Sequence, residues 1–229
     1  LAEREGSKRV GRPMRIGKLG VRLFNGKFVL EDFAIEGLSP ADRPFLKAKR
    51  IDVSLRWDAM LRREVLLDSI EMSDWQMVIE QWPGSRHSFP RFNLGGGGPR
   101  RFVTTMPYVH TRNGEVIFED HGTPWSVVAR NLDITVTKYA GYRGEAAFHG
   151  GTITIQNYVP MSASMKAIFR VDGGLVHFER LNLTTDGAES VITGDADIAH
   201  WPEQTYQVQS VVDFKRMREA DVISICVPT

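Results

Sequence analysis

Residues 50–57, RIDVSLRW, alternate without a fault: Ile51, Val53, Leu55 and Trp57 against Arg50, Asp52, Ser54 and Arg56. A strand of this kind carries one apolar and one polar face. The pattern recurs along most of the chain. KLGVRLF (18–24) places Leu19, Val21 and Leu23 on one side, and Asn25-Gly26 follows as a hairpin-turn signal. KFVLEDFAIEG then returns, its apolar register stepping from Phe28 and Leu30 to Phe33 and Ile35, which predicts a bulge near Glu31-Asp32. LSPADRP is a loop. DAMLRREV (58–65) is the best helix candidate, with Asp58 as N-cap. LLDSIEMSDWQMVIEQW (66–82) predicts one or two strands ended by Pro83-Gly84.

The second half repeats this logic. GEVIFED begins from an Asn113-Gly114 turn signal, and NLDITVTKY sets Leu132, Ile134 and Val136 on one face. EAAFHGGTITIQN follows, then SASMKAIFRVD with Met165, Ala167, Phe169 and Val171 in alternation. GLVHFERLNLTTD, SVITGDADIAHW and QTYQVQSVVDF continue, and a short helix is expected at 215–221. Short strands joined by turns predict an all-β chain of consecutive antiparallel pairs, with one or two short helices. The apolar faces have two destinations. They meet each other in a closed β-sandwich, or they line the concave side of a strongly curved, elongated sheet left open as a groove. Periodicity does not choose between them.

The organisation expected is a basic tail at 1–13, a β-rich unit at 14–93, a glycine-rich connector at 94–101 and a second β-rich unit at 102–229 that continues the sheet or stands apart. Hydrophobic and charged fractions of 42% and 25% are those of a globular chain. Lys plus Arg number 29 against 28 Asp plus Glu, which argues against nucleic acid as a partner. The exception is the start. Arg4, Lys8, Arg9, Arg12, Arg15, Lys18 and Arg22 face only Glu3 and Glu5, a solvated basic tail or a segment close to anionic headgroups. One cysteine, Cys226, excludes an intrachain disulfide. No apolar run of about 18 residues is present, so no helix spans a bilayer.

Catalytic chemistry finds little footing. The six histidines show no metal-ligand spacing. EDHG (119–122) is the densest polar cluster; with Gly122 and Pro124 beside it, a turn accounts for it better than an Asp120–His121 acid–base or metal site. GGGGPRR lacks the Lys-Ser/Thr ending and the following helix of a phosphate loop. No enzyme, metal or cofactor is expected. A closed sandwich would instead offer Trp75, Trp82 and Trp201 as a platform for carbohydrate or protein, and a hydrolase would depend on His121.

The segment MRIGKLGVRLFNGKFVLEDFAIEG…RPFLKAKRIDVSLRWDAMLRREVLLDSIEMSDWQMVIEQ resembles the N-terminal part of AsmA-like proteins, the group that includes TamB. It shares their opening strand and turn, a P-F-L-x-A-K-x-I-D-V-x-L strand with Phe45, Leu46, Ala48, Ile51, Val53 and Leu55 in place, and a later strand carrying Asp68, Ile70 and Met72. NGEVIFEDHGTPWSVVARNLDITV and SVITGDADI continue the likeness, which covers most of residues 14–215. The resemblance implies an open β-groove similar to chorein-type bridge proteins, in the bacterial periplasm. It implies anchorage in the inner membrane by a segment upstream of this chain, and outer-membrane protein partners. The implied role is carrying phospholipid or another acyl lipid toward the outer membrane, in support of its integrity or assembly. Candidate groove residues are Leu19, Val21, Leu23, Ile51, Val53, Leu55, Leu132, Ile134, Val136, Met165, Ala167 and Phe169.

Overall fold

The computed structural model describes residues 2–22, 26–56, 67–84, 86–90, 107–138, 141–172, 175–186, 188–197 and 204–212. Among these residues, one helix, α1 (Ala2–Val10), precedes twelve strands. They are β1 (Met14–Arg22), β2 (Lys27–Ile35), β3 (Leu46–Leu55), β4 (Leu67–Trp82), β5 (Arg86–His87) and β6 (Tyr108–Asp120). Then come β7 (Trp125–Lys138), β8 (Tyr142–Ile155), β9 (Met161–Asp172), β10 (Leu175–Thr185), β11 (Ala188–Asp197) and β12 (Gln204–Val212). All belong to one sheet, in the order β1-β2-β3-β4-β6-β7-β8-β9-β10-β11-β12, with β5 attached to the end of β4. The path is open: β1 and β12 stand at its two ends and do not pair.

The architecture is therefore a single open, curved sheet and not a closed sandwich. Its packing says the same. No large side chain among the described residues is fully buried, whereas two facing layers would enclose many. The best-covered apolar residues, including Phe33, Ala48, Trp75, Leu132 and Phe148, form one cluster spread over β2 to β9.

Mid-strand kinks bend the sheet. Asp32, Asp74, Asn113 and Asn131 all have φ between 50° and 52°, and Gly150 has φ 69°. These positions lie inside β2, β4, β6, β7 and β8. A left-handed residue turns the strand and inverts its alternation, so that apolar side chains on both sides of the kink return to the same face. Asp and Asn tolerate this conformation better than other residues bearing a side chain. Because Ser73 pairs with Arg112 and Trp75 with Gly114, the Asp74 and Asn113 kinks lie side by side, and Asn113 Nδ2 donates to Asp74 Oδ1 at 2.5 Å. The row of kinks is a crease that folds the sheet into a trough.

Four expectations change. Asn113-Gly114 is not a turn but a kink within the uninterrupted β6; its tolerance of positive φ is used to bend a strand instead of ending one. Near Glu31-Asp32 the left-handed residue is present, yet β2 stays in step with β1 and β3 on both sides, so no residue is inserted. The pairing is not antiparallel throughout: β4 and β6 run parallel, which the long connection through residues 83–107 permits. This pair joins the two halves of the chain into one sheet. The basic start, expected as a tail, forms α1, whose Ser7 Oγ accepts from Met14 N and Glu3 Oε1 from Ile16 N along the outer edge of β1. The helices expected at 58–65 and 215–221, and the glycine connector at 94–101, lie outside the described residues.

The crease gives a direct test. Asn113→Val puts a β-branched side chain at φ 51° and is expected to lower unfolding free energy by about 1–3 kcal/mol, read by urea denaturation. Asn113→Gly keeps the backbone and loses only the bond to Asp74, so its cost should be smaller. Equal losses would mean the kink is not what constrains this position.

Candidate functional site: an open apolar trough

Residues directly opposite in a sheet share a face, so the register assigns every side chain to one side or the other. One row runs Leu19, Leu30, Ile51, Met72, Thr111, Ile134, Ala146, Ala167, Leu181 and Ile192, crossing ten strands. With strands about 4.8 Å apart, it is roughly 43 Å long. A parallel row runs Val21, Phe28, Val53, Ile70, Val109, Val136, Gly144, Phe169 and Phe178. Beyond the crease the same face continues through Ile16, Phe33, Ala48, Trp75, Gly114 and Leu132, then through Ile79, Phe118, Val127, Ile153 and Met161.

Glycine and aromatic residues face each other twice in these rows. A Cβ added to Gly114 would come within 2.2 Å of the Trp75 ring, and one added to Gly144 within 2.4 Å of the Phe169 ring. Each ring fills the space over a glycine of the neighbouring strand. Every methionine among the described residues, Met14, Met72, Met77, Met161 and Met165, stands on this face. Their unbranched, polarisable chains make it an adaptable surface.

The candidates read from alternation gather on this face, with the exception of Leu23, which lies outside the described residues. Leu132, Ala167 and Phe169 are buried in the floor; Ile51, Val53, Leu55, Ile134, Val136 and Met165 are half-buried. Leu19 and Val21 reach the water at the β1 end, 48% and 46% exposed. Burial deepens toward the crease. Two members of the floor carry a polar atom inward: Thr111, which the sequence did not single out, and Trp75, which it offered only as an exposed platform; both are buried, and Oγ1 and Nε1 lack a hydrogen-bond partner among the described residues. Each such orphan costs about 1–3 kcal/mol. Burial of Trp75 also removes it as an exposed carbohydrate platform.

The opposite face is polar and laced with ion pairs. Arg50 grips Asp52 through two bonds of 2.6 and 2.7 Å. Glu179 takes Arg143 at 2.9 Å and Arg170 at 2.7 Å, and Lys18 lies 3.3 Å from Glu31. Glu80 and Glu119 stand opposite each other on β4 and β6, and Arg43 bridges them from the β2–β3 loop. Their hydrogen bonds raise the Arg43 pKa. His121 Nε2 is 3.3 Å from Glu80 Oε1, with its ring stacked on Trp82. Three potential metal ligands thus meet here, but Arg43 already supplies the cation. Asp120 accepts from the backbone of Gly122 and Thr123, closing the turn at 121–124 expected for EDHG.

What fold and face define together is an open single-sheet trough, apolar within and charged without. In comparison with known proteins, the chain matches no protein-family model and no curated protein sequence.

The charged face sets an acid limit. The hydrogen bond from Arg50 holds the Asp52 carboxyl below the usual range, and Arg143 does the same for Glu179. Both carboxyls bind protons less readily in the folded chain than in the unfolded one, so their stabilisation is present above the unfolded value of about 4 and is lost as pH falls through the lower folded values. The urea midpoint should drop below about pH 4, and Arg50→Gln with Arg143→Gln should shrink that drop. An unchanged acid limb in the double variant would count against these pairs.

Proposed function

We propose that the trough binds and conducts acyl lipid, phospholipid above all, sheltering the chains from water while the headgroup stays at the rim. The observation that carries the reading is the apolar face itself, continuous across ten strands and without a second layer over it among the described residues. Extended apolar surface on a soluble chain marks a binding site. Each methylene taken out of water contributes about 0.8 kcal/mol, so even a partly sheltered chain favours the trough. Movement along it is passive sliding between equivalent apolar rows and involves no bond making or breaking.

The resemblance to AsmA-like proteins supports a place for this activity: the bacterial periplasm, next to an inner membrane reached through a segment upstream of this chain. There the trough would pass phospholipid toward the outer membrane and its protein partners, supporting the integrity or assembly of that membrane. Basic residues of α1 and β1, with Arg4, Lys8 and Arg22 exposed, suit the neighbourhood of anionic headgroups. No helix among the described residues is long and apolar enough to cross a membrane.

The test is native mass spectrometry with lipid extraction, on protein purified from a bacterial host without detergent. Co-purified phospholipid is expected, and it should fall several-fold in Val53→Asp and Ile134→Asp variants whose circular dichroism is unchanged. A clean unliganded mass from well-folded protein would overturn the proposal.

A further inference from the structure

We infer that Thr111 and Trp75 form a hydrogen-bonding station on the floor of the trough for the carbonyl oxygen of an acyl group. The inference rests on the acyl-lipid reading and adds to it a chemical preference among lipids. Thr111 is the one polar residue in the ten-strand row that begins at Leu19. It is 6% exposed, and Trp75, one rung away on the adjacent strand, is 4% exposed. Neither Thr111 Oγ1 nor Trp75 Nε1 has a hydrogen-bond partner among the described residues.

An apolar floor alone explains neither group. Valine has the shape of threonine and occupies the next inward-facing positions, Val109 on the same strand and Val136 beside it. Phenylalanine would cover Gly114 without an N–H to bury. The indole N–H only donates, and the hydroxyl donates as well as accepts, so the partner that satisfies both is an acceptor. An acyl chain has no acceptor along its methylenes; it has one at its head, the carbonyl of an ester or a carboxyl group. Methionine flanks both residues. Met72 stands directly opposite Thr111, and Met77 follows Trp75 on the same face. A thioether chain changes rotamer readily, so a guest can reach the floor by displacing methionine and not backbone.

The experiment compares three probes on the full chain by competition against a fluorescent fatty acid: dioleoyl phosphatidylethanolamine, its dioleyl ether counterpart without carbonyls, and oleate. The ester should bind about three- to tenfold more tightly than the ether. Thr111→Val and Trp75→Phe should each bring that ratio close to one by weakening ester binding more than ether binding. The ester signal alone assigns the station to glycerolipid; a matching, variant-sensitive signal from oleate assigns it to free fatty acid. The indole N–H resonance of Trp75, identified by its loss in Trp75→Phe, should shift with ester and not with ether. Equal binding of ester and ether, or a ratio that survives both substitutions, overturns the station and leaves the lipid trough standing. Binding of none of the three overturns both.

Discussion

A single sheet with one apolar face cannot leave that face flat in water, and the rest of this structure follows from how the chain meets that constraint. The usual remedy is a second layer, whose facing side chains exclude solvent from both. Here a second layer is absent among the described residues, and the sheet bends on itself instead. Kinks at Asp32, Asp74, Asn113, Asn131 and Gly150 bring the two arms of each strand toward one another. Curvature covers part of the apolar surface, most completely near the crease, where Phe33, Ala48, Trp75 and Leu132 reach burials of 8% exposure or less. It cannot cover the rims.

The polar face makes the bend tolerable. A convex surface spreads its side chains apart, and long Arg, Lys and Glu residues can fill that space with solvated ion pairs. Exposed pairs contribute little each. Their arrangement matters more than their number: Arg43 ties two adjacent carboxylates that would otherwise repel across the parallel β4–β6 pair, the junction between the halves of the chain. The Asn113–Asp74 bond spans the same two strands at the level of the crease. The place where the pairing changes direction is thus held from outside by charge and at the bend by a side-chain amide.

A trough of this construction suits a guest that is long, apolar and variable in shape. The floor is built from methionine, small aliphatics and rings laid over glycine, surfaces that adapt to chains and do not select a rigid ligand. Selectivity must then come from polar groups placed at intervals, and the buried Thr111 and Trp75 are two such groups on the inner face.

Much of this was legible in the residues themselves. Alternation in RIDVSLRW, NLDITVTKY and SASMKAIFRVD assigned Ile51, Val53, Ile134, Val136, Met165 and Phe169 to one face, because the two-residue period of a strand is a local property. The all-β class followed from the same period, and the turn at EDHG from its Asp and Gly. What the sequence by itself could not decide was where a locally allowed bend would be spent. Asn113-Gly114 permits positive φ equally in a turn and in a kink, and only the pairing of β6 with β4 and β7 makes it a kink. The parallel register of β4 and β6, the openness of the sheet, and the isolation of Thr111 and Trp75 from any polar partner likewise depend on residues far apart in the chain. Periodicity says which side of a strand is apolar; whether anything covers that side is settled by the long-range closure of the fold, which local pattern does not encode.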